Sequence, residues 1–147
     1  LTKLRFVADT EPMSEESRDL VAEFDARYRI IEEPVMRRIE RAVTGSDYGA
    51  TSYTTGEQAD RLADLLDLTP GKILLDFGSG AGWPGIHLAR STGCDVVLTD
   101  LPLEGLRKAE RRMRDEGVRG AVIAATAALL PIRDQVFDAA TSSDVMC

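Results

Sequence analysis

An α/β domain built on a parallel sheet is the fold this sequence predicts, and three observations predict it. From Lys72 onward, short apolar runs alternate with amphipathic helical segments. The apolar runs are mostly continuous rather than alternating, the pattern of strands with helices on both faces. The first run ends in Asp76 and passes into a turn with glycine at every second position, Gly78, Gly80 and Gly82. A buried strand that ends in a turn without side chains brings backbone close to a ligand.

The elements follow in order. Residues 1–13 carry Pro12, show no periodicity and read as a loose lead-in. From Ser14 to about Val43, Leu20, Phe24, Ile31, Val35 and Ile39 recur at helical spacing. Ser14-Glu-Glu-Ser is a helix start, Pro34 divides the segment near Glu33, and Gly45 is a left-handed cap. Tyr48 to Gly56 is a loop. Thr54 and Glu57 stand three apart as in a capping box, opening a helix whose buried stripe is Ala59, Leu62, Ala63, Leu65 and Leu66. Thr69-Pro70-Gly71 closes it. Strand one is then Lys72–Phe77, followed by a helix over Pro84–Arg90 with proline in the first turn. Strand two is Cys94–Thr99, and a charged helix over Leu103–Glu116 ends at Gly117. Ala121–Ala125 and Val136–Thr141 are strands three and four. The expected strand order is 3-2-1-4. Residues 1–56 thus form an N-terminal helical extension with a loop able to act as a lid, and 57–147 form the sheet domain.

The 147 residues suit one domain with a core. The net charge of −7 argues against nucleic acid, whose affinity leans on Lys and Arg neutralising phosphates. The basic run Arg107, Lys108, Arg111, Arg112 and Arg114 reads as a solvated helix face. Cys94 and Cys147 form no metal-ligand pair and no disulfide framework. No run has the ~18–20 apolar residues of a membrane helix, and no signal-peptide pattern opens the sequence, so no membrane partner is expected and the cytoplasm is the expected location. The sequence opens on Leu1 and closes at Cys147, just past strand four. A sheet cut off there has an open edge, so the expectation is a fragment, or a short form that covers the edge as a homodimer.

The chemistry concentrates at the glycine turn. Gly80-Ala-Gly82-Trp-Pro-Gly85 also fits the dinucleotide spacing G-x-G-x-x-G, a weak signal alone. The acid just before the glycines separates the two registers. A carboxylate aimed at a pyrophosphate repels it, whereas one beside a cationic ligand attracts it, so Asp76 favours a ligand with a positive group. Asp100 ends the second apolar run eighteen residues past Gly82. Its carboxylate is able to accept from both hydroxyls of a ribose, and Leu101 would lie against the base. Both acids stand at the carboxyl ends of neighbouring parallel strands, where such folds bind nucleosides.

Asp76-Phe-Gly-Ser-Gly-Ala-Gly82, Asp100 and Leu130-Pro131-Ile-Arg-Asp-Gln-Val-Phe137-Asp138 together resemble the class I S-adenosylmethionine-dependent methyltransferases, in their small-molecule branch. The resemblance runs over about residues 48–146 and implies a Rossmann-like fold, S-adenosylmethionine as cofactor and a small-molecule substrate. It places Asp76, with the backbone of Gly78, Ser79 and Gly80, at the methionine end of the cofactor. Gly82 lets the chain pass close by. Asp100 would hold the ribose and Leu101 the adenine. Where the family often carries an acid facing the adenine amino group this chain has Thr126, with the Ala127 amide beside it. Ser142 would lie near the amino-acid portion. The family's full sheet has seven strands, and this chain supplies four.

Further residues have two readings each. Trp83, the only tryptophan, either lines the methyl-donor pocket, where its ring would stabilise a sulfonium by ~0.5–2 kcal/mol, or packs between helices. The loop of Tyr48 and Tyr53 is either a lid, with Tyr53 meeting the cofactor carboxylate, or a connector. His87, the only histidine, sits on the first domain helix and is a poor candidate for a base. Asp144, in Ser142-Ser143-Asp144, either faces a substrate as base or amine partner or caps a helix. The chain has no nucleophile-and-base set, no catalytic residue is assigned and no metal is expected. The leading function is methyl transfer from S-adenosylmethionine to a small molecule. The alternatives are a non-catalytic binder of that cofactor, a truncated methyltransferase remnant, or an NAD(P)-binding oxidoreductase fragment.

Overall fold

The computed structural model describes residues 13–31, 33–49, 51–126 and 129–145. Helix α1 spans Glu15–Ile30, capped by Ser14, whose hydroxyl accepts from the Ser17 amide at 3.1 Å. Helix α2 spans Pro34–Val43. Pro34 has no amide hydrogen to continue α1 but fits a first helical turn, so the break falls where the proline requires it.

Helix α3 spans Gly56–Leu65, and its capping box is one residue later than the spacing suggested. Thr55 accepts from the Gln58 amide at 3.2 Å, and the Gln58 side chain returns a bond to the Thr55 amide at 2.9 Å. Thr54 is held in the loop instead, its hydroxyl bonded to Ser143 and its carbonyl accepting from the Trp83 indole. The buried stripe of α3 also needs one correction. Ala59 is buried and Leu62, Ala63 and Leu66 pack on the core, but Leu65 is 68% exposed. Six positions past Ala59, Leu65 is rotated about 120° from it around the helix. On α1 and α2, Leu20, Val35 and Ile39 are likewise exposed, so their periodic spacing does not mark a buried stripe.

Strand β1 is Ile73–Phe77, helix α4 Gly85–Thr92, strand β2 Asp95–Asp100, helix α5 Leu103–Glu116, strand β3 Gly120–Ala124 and strand β4 Ala139–Thr141. The sheet is wholly parallel, in the order β3-β2-β1-β4. Strand β4 is shorter than the apolar run Val136–Thr141. The backbone turns at Gln135, and pairing begins only after Asp138, which clamps Ile73 through its own amide and its carboxylate.

Register puts Leu74 beside Val96, and Asp76 beside Leu98, on one face. That face packs on α3, α4 and α5 through Ala59, Ile86, Leu88, Ala89, Ala109 and Met113. Burying each of the larger side chains contributes about 1.5–3 kcal/mol. The opposite face carries Ile73, Leu75, Phe77, Val97, Ile123 and Ala140. Only Leu75 of these is buried, so helices do not cover both faces among the described residues. No helix among those residues is long and apolar enough to cross a membrane.

Gly85 opens α4 where the helix meets β1. A Cβ there would stand 2.5 Å from the Asp76 carboxylate and 2.8 Å from Leu98. Gly85→Ala is therefore expected to cost about 1–3 kcal/mol through overpacking, although alanine is the better helix former. Urea unfolding at neutral pH checks this.

Candidate functional site

The turn after β1 is tied to the end of β2. The amides of Gly78 and Ser79 both donate to the Thr99 carbonyl, at 2.7 and 3.1 Å. The Gly80 amide donates to one carboxylate oxygen of Asp100 and the Leu101 amide to the other, each at 2.7 Å. Burial pushes the Asp100 carboxyl up from its ordinary value, against those two bonds. An ionised carboxylate has about four lone-pair sites, so two amides leave acceptor capacity free.

Asp76 lies behind this turn. It is 1% exposed, and one of its oxygens accepts from the Gly85 amide at 3.0 Å. Its other oxygen has no partner. Burial raises its carboxyl to about 7, despite the Gly85 bond. The Gly85 amide, at the positive end of α4, is the group that holds this acid.

In front of the turn is a hollow of about 450 Å³, within the range of small-molecule sites. Gly78, Ser79 and Ala81 form its base. Asp100, Leu101 and Pro102 line it, as do Leu20, Val21, Phe24 and Tyr28 of α1. Thr51 and Ser52 from the loop, Ser143, Asp144 and Val145 from beyond β4, and Trp83 complete the lining. A clasp of hydroxyls closes the rim. Asp144 accepts from Ser52 Oγ at 2.6 Å and from the Tyr53 amide at 2.8 Å, and Ser52 and Ser143 hydroxyls lie 2.9 Å apart. The Ser52 bond leads the effects that hold the Asp144 carboxyl below its ordinary value. Among the described residues the lining contains two carboxylates, Asp100 and Asp144, and no Lys, Arg or His.

The structure brings Gly78, Ser79, Trp83, Asp100 and Leu101 together at the hollow. Trp83 faces it and packs as well, its ring 5.0 Å from that of Tyr48 and 5.2 Å from that of His87, its indole donating to the Thr54 carbonyl at 2.9 Å. Gly80 belongs to the turn, but the space before it holds the Tyr28 hydroxyl. Gly82 abuts Ile86 and Ala109, on the core side of the turn. Asp76 and Thr126 do not line the hollow, nor does Ser142, whose hydroxyl is buried and without a partner. Tyr53 is 81% exposed and reaches the site only through its amide. Ala127 lies outside the described residues. His87 bonds Asp60 at 2.7 Å, away from the hollow.

Sequence reasoning missed the α1 wall, Val21 and Tyr28 above all. Leu20, Phe24 and Tyr28 stand four apart, and extending the helical spacing by one more step would have reached Tyr28.

A family model described as a methyltransferase domain matches residues 74–147. Squalene methyltransferase 1 of Botryococcus braunii is 32% identical over 89 residues, which cover 59% of this chain and 24% of that protein. The chain therefore spans about a quarter of the length of that relative. Among solved structures, the SAM-dependent methyltransferase of Thiobacillus denitrificans in complex with S-adenosyl-L-homocysteine aligns with a TM-score of 0.57 and 28% identity. The alignment covers 71% of this chain and 42% of that one. The [4+2]-cyclase SpnF aligns with a TM-score of 0.59 and 25% identity, over 88% of this chain and 50% of that one.

Proposed function

Because this chain belongs to the methyltransferase-domain family, we propose that its hollow binds S-adenosylmethionine and serves methyl transfer to a small-molecule acceptor. The observation that carries this reading is the lining itself: the two-pronged acceptor Asp100, and two carboxylates with no Lys, Arg or His beside them among the described lining residues. A sulfonium and an ammonium are stabilised there, whereas a pyrophosphate or a nucleic-acid backbone is repelled.

The residues fit the cofactor. Asp100, already oriented by two amides, would hold the ribose hydroxyls with its free lone pairs. Leu101 and Pro102 would cover the adenine. Ser52, Ser143 and Thr51 offer hydroxyls to a carboxylate. When bound, the cofactor supplies a methyl group made electrophilic by its sulfonium. The chain's part is to fix the donor, exclude water and align the acceptor, effects able to account for much of a rate enhancement. Asp76 acts from behind the turn, by holding the start of α4 against β1. The apolar α1 wall, together with the similarity to an enzyme named for squalene, supports an acceptor of low polarity.

Transfer of labelled methyl from S-adenosylmethionine to a panel of polyenes, alcohols and amines tests the proposal. Label in at least one acceptor is expected. Cofactor binding without transfer to any would favour a second reading, a binder that does not methylate, which the similarity to a protein titled a cyclase keeps in view.

A further inference from the structure

Two glycines far apart in sequence make room for one tyrosine ring. Helix α1 buries a single residue, Tyr28, which is 3% exposed. A Cβ on Gly80 would stand 2.0 Å from the Tyr28 hydroxyl, and a Cβ on Gly105 would stand 2.9 Å from its ring. Gly105 lies inside α5, where glycine costs about 1 kcal/mol against alanine. The ring leaves no space for a side chain at Gly80, and the ring together with the Gly80 backbone, 3.0 Å away, leaves none at Gly105.

Around that ring, α1 is pinned to α5 by polar contacts. Lys108 donates to the Tyr28 carbonyl. Helix α5 has no side-chain cap of its own, and Asp25 of α1 accepts from its Glu104 amide at 2.9 Å. Arg29 lies 3.7 Å from Glu104. The Tyr28 hydroxyl lies 3.3 Å from Thr51 Oγ1, which joins α1 to the loop that also lines the hollow. Leu20 is 54% and Ile30 61% exposed, so neither adds a buried contact.

We propose that Tyr28 is a latch: seated between Gly80 and Gly105, it fastens α1 across the hollow, and the cofactor enters and leaves only when α1 lifts. The proposal rests on the cofactor reading above. Its physical basis is that Leu20, Val21, Phe24 and Tyr28 of α1 line the hollow together with Asp100, while the space before Gly80 is filled by the Tyr28 hydroxyl. A helix held by one buried ring and a few polar pins opens at a cost well below that of global unfolding.

A latch slows entry and exit together, whereas an ordinary ligand contact slows exit alone. Trp83 lines the hollow and is the only tryptophan, so its fluorescence reports binding in stopped flow. With S-adenosylmethionine as probe, Tyr28→Ala is expected to raise both association and dissociation rates by about tenfold or more, because a buried ring is lost. Tyr28→Phe keeps the ring and is expected to stay within about threefold of the unaltered chain, an estimate for loss of one neutral hydrogen bond. Lys108→Met removes a pin outside the hollow and is expected to move both rates in the same direction as Tyr28→Ala. Amide exchange should show protection lost over residues 15–30 in both variants and retained in β1 and β2.

Unchanged rates in Tyr28→Ala and Lys108→Met, or a faster exit with unchanged entry, would overturn the latch alone. If Tyr28→Ala does not fold, Lys108→Met decides by the same criteria. No fluorescence or calorimetric response to the cofactor in the unaltered chain would overturn the cofactor reading, and the latch with it.

Discussion

Replacing Asp100 with alanine is expected to weaken S-adenosylmethionine binding by about a hundredfold. Each hydrogen bond from a ribose hydroxyl to an ionised carboxylate is worth about 1.5–3 kcal/mol, and two such bonds make a loss of this size a conservative figure. The structure adds a consequence that residue spacing alone does not convey. Asp100 also accepts from Gly80 and Leu101, so alanine leaves two partly buried amides unpaired. A loss of about 1–3 kcal/mol in fold stability should accompany the loss of affinity. Calorimetry measures the first and urea unfolding the second. An alanine variant that binds the cofactor as the unaltered chain does would remove Asp100 from the site.

Replacing Asp76 with asparagine is expected to change the pH dependence of stability. In the folded chain the Asp76 carboxyl sits at about 7, against 3.8 for the free group, chiefly because burial disfavours its charge. The folded state therefore holds a proton that the unfolded state releases between these values. Stability from this group is full below about pH 4 and is lost as pH rises through about 7. Over that window the loss is on the order of 4 kcal/mol. Asparagine carries no charge at any pH and removes the dependence. Asp47 and Asp144, both lowered, remain in both chains and cancel in the comparison, and Asp100 cancels apart from the charge by which it helps raise Asp76. Urea unfolding at pH 4, 6 and 8 should show the variant gaining on the unaltered chain as pH rises. Parallel curves would mean that Asp76 is not the buried acid described.

The strand order and the glycine turn were legible because each rests on local signals: apolar runs of strand length, helical periodicity between them, and glycines at a strand end. Asp100 was legible for the same reason, as the acid that closes the second run. Asp76 shows a local rule passed over. Leu74 faces the core, and side chains two apart on a strand share a face, so Asp76 had to point into the core beside Leu98 rather than into the hollow. The capping box slipped by one because Thr54 and Thr55 are both competent caps. Only the packing of Trp83 and Ser143 against Thr54 decides between them. One more step of the α1 spacing reaches Tyr28, but its burial was not legible. Its burial depends on a glycine in α5 and another in the turn, and no window along the chain contains all three. The stripe on α1 and α2 failed for the opposite reason: spacing identifies a helix face, but only tertiary packing says whether anything covers it.

The ligand proposed for the hollow lined by α1, Gly78 and Ser79 is an adenosyl cofactor bearing positive charge. A calorimetric titration of the chain with S-adenosylmethionine, S-adenosylhomocysteine and NAD separates this ligand from a dinucleotide. Saturable binding of the first two, with that of S-adenosylmethionine weakened about a hundredfold by Asp100→Ala, and no heat with NAD are expected. Tight NAD binding with no response to either adenosyl compound would contradict that proposal.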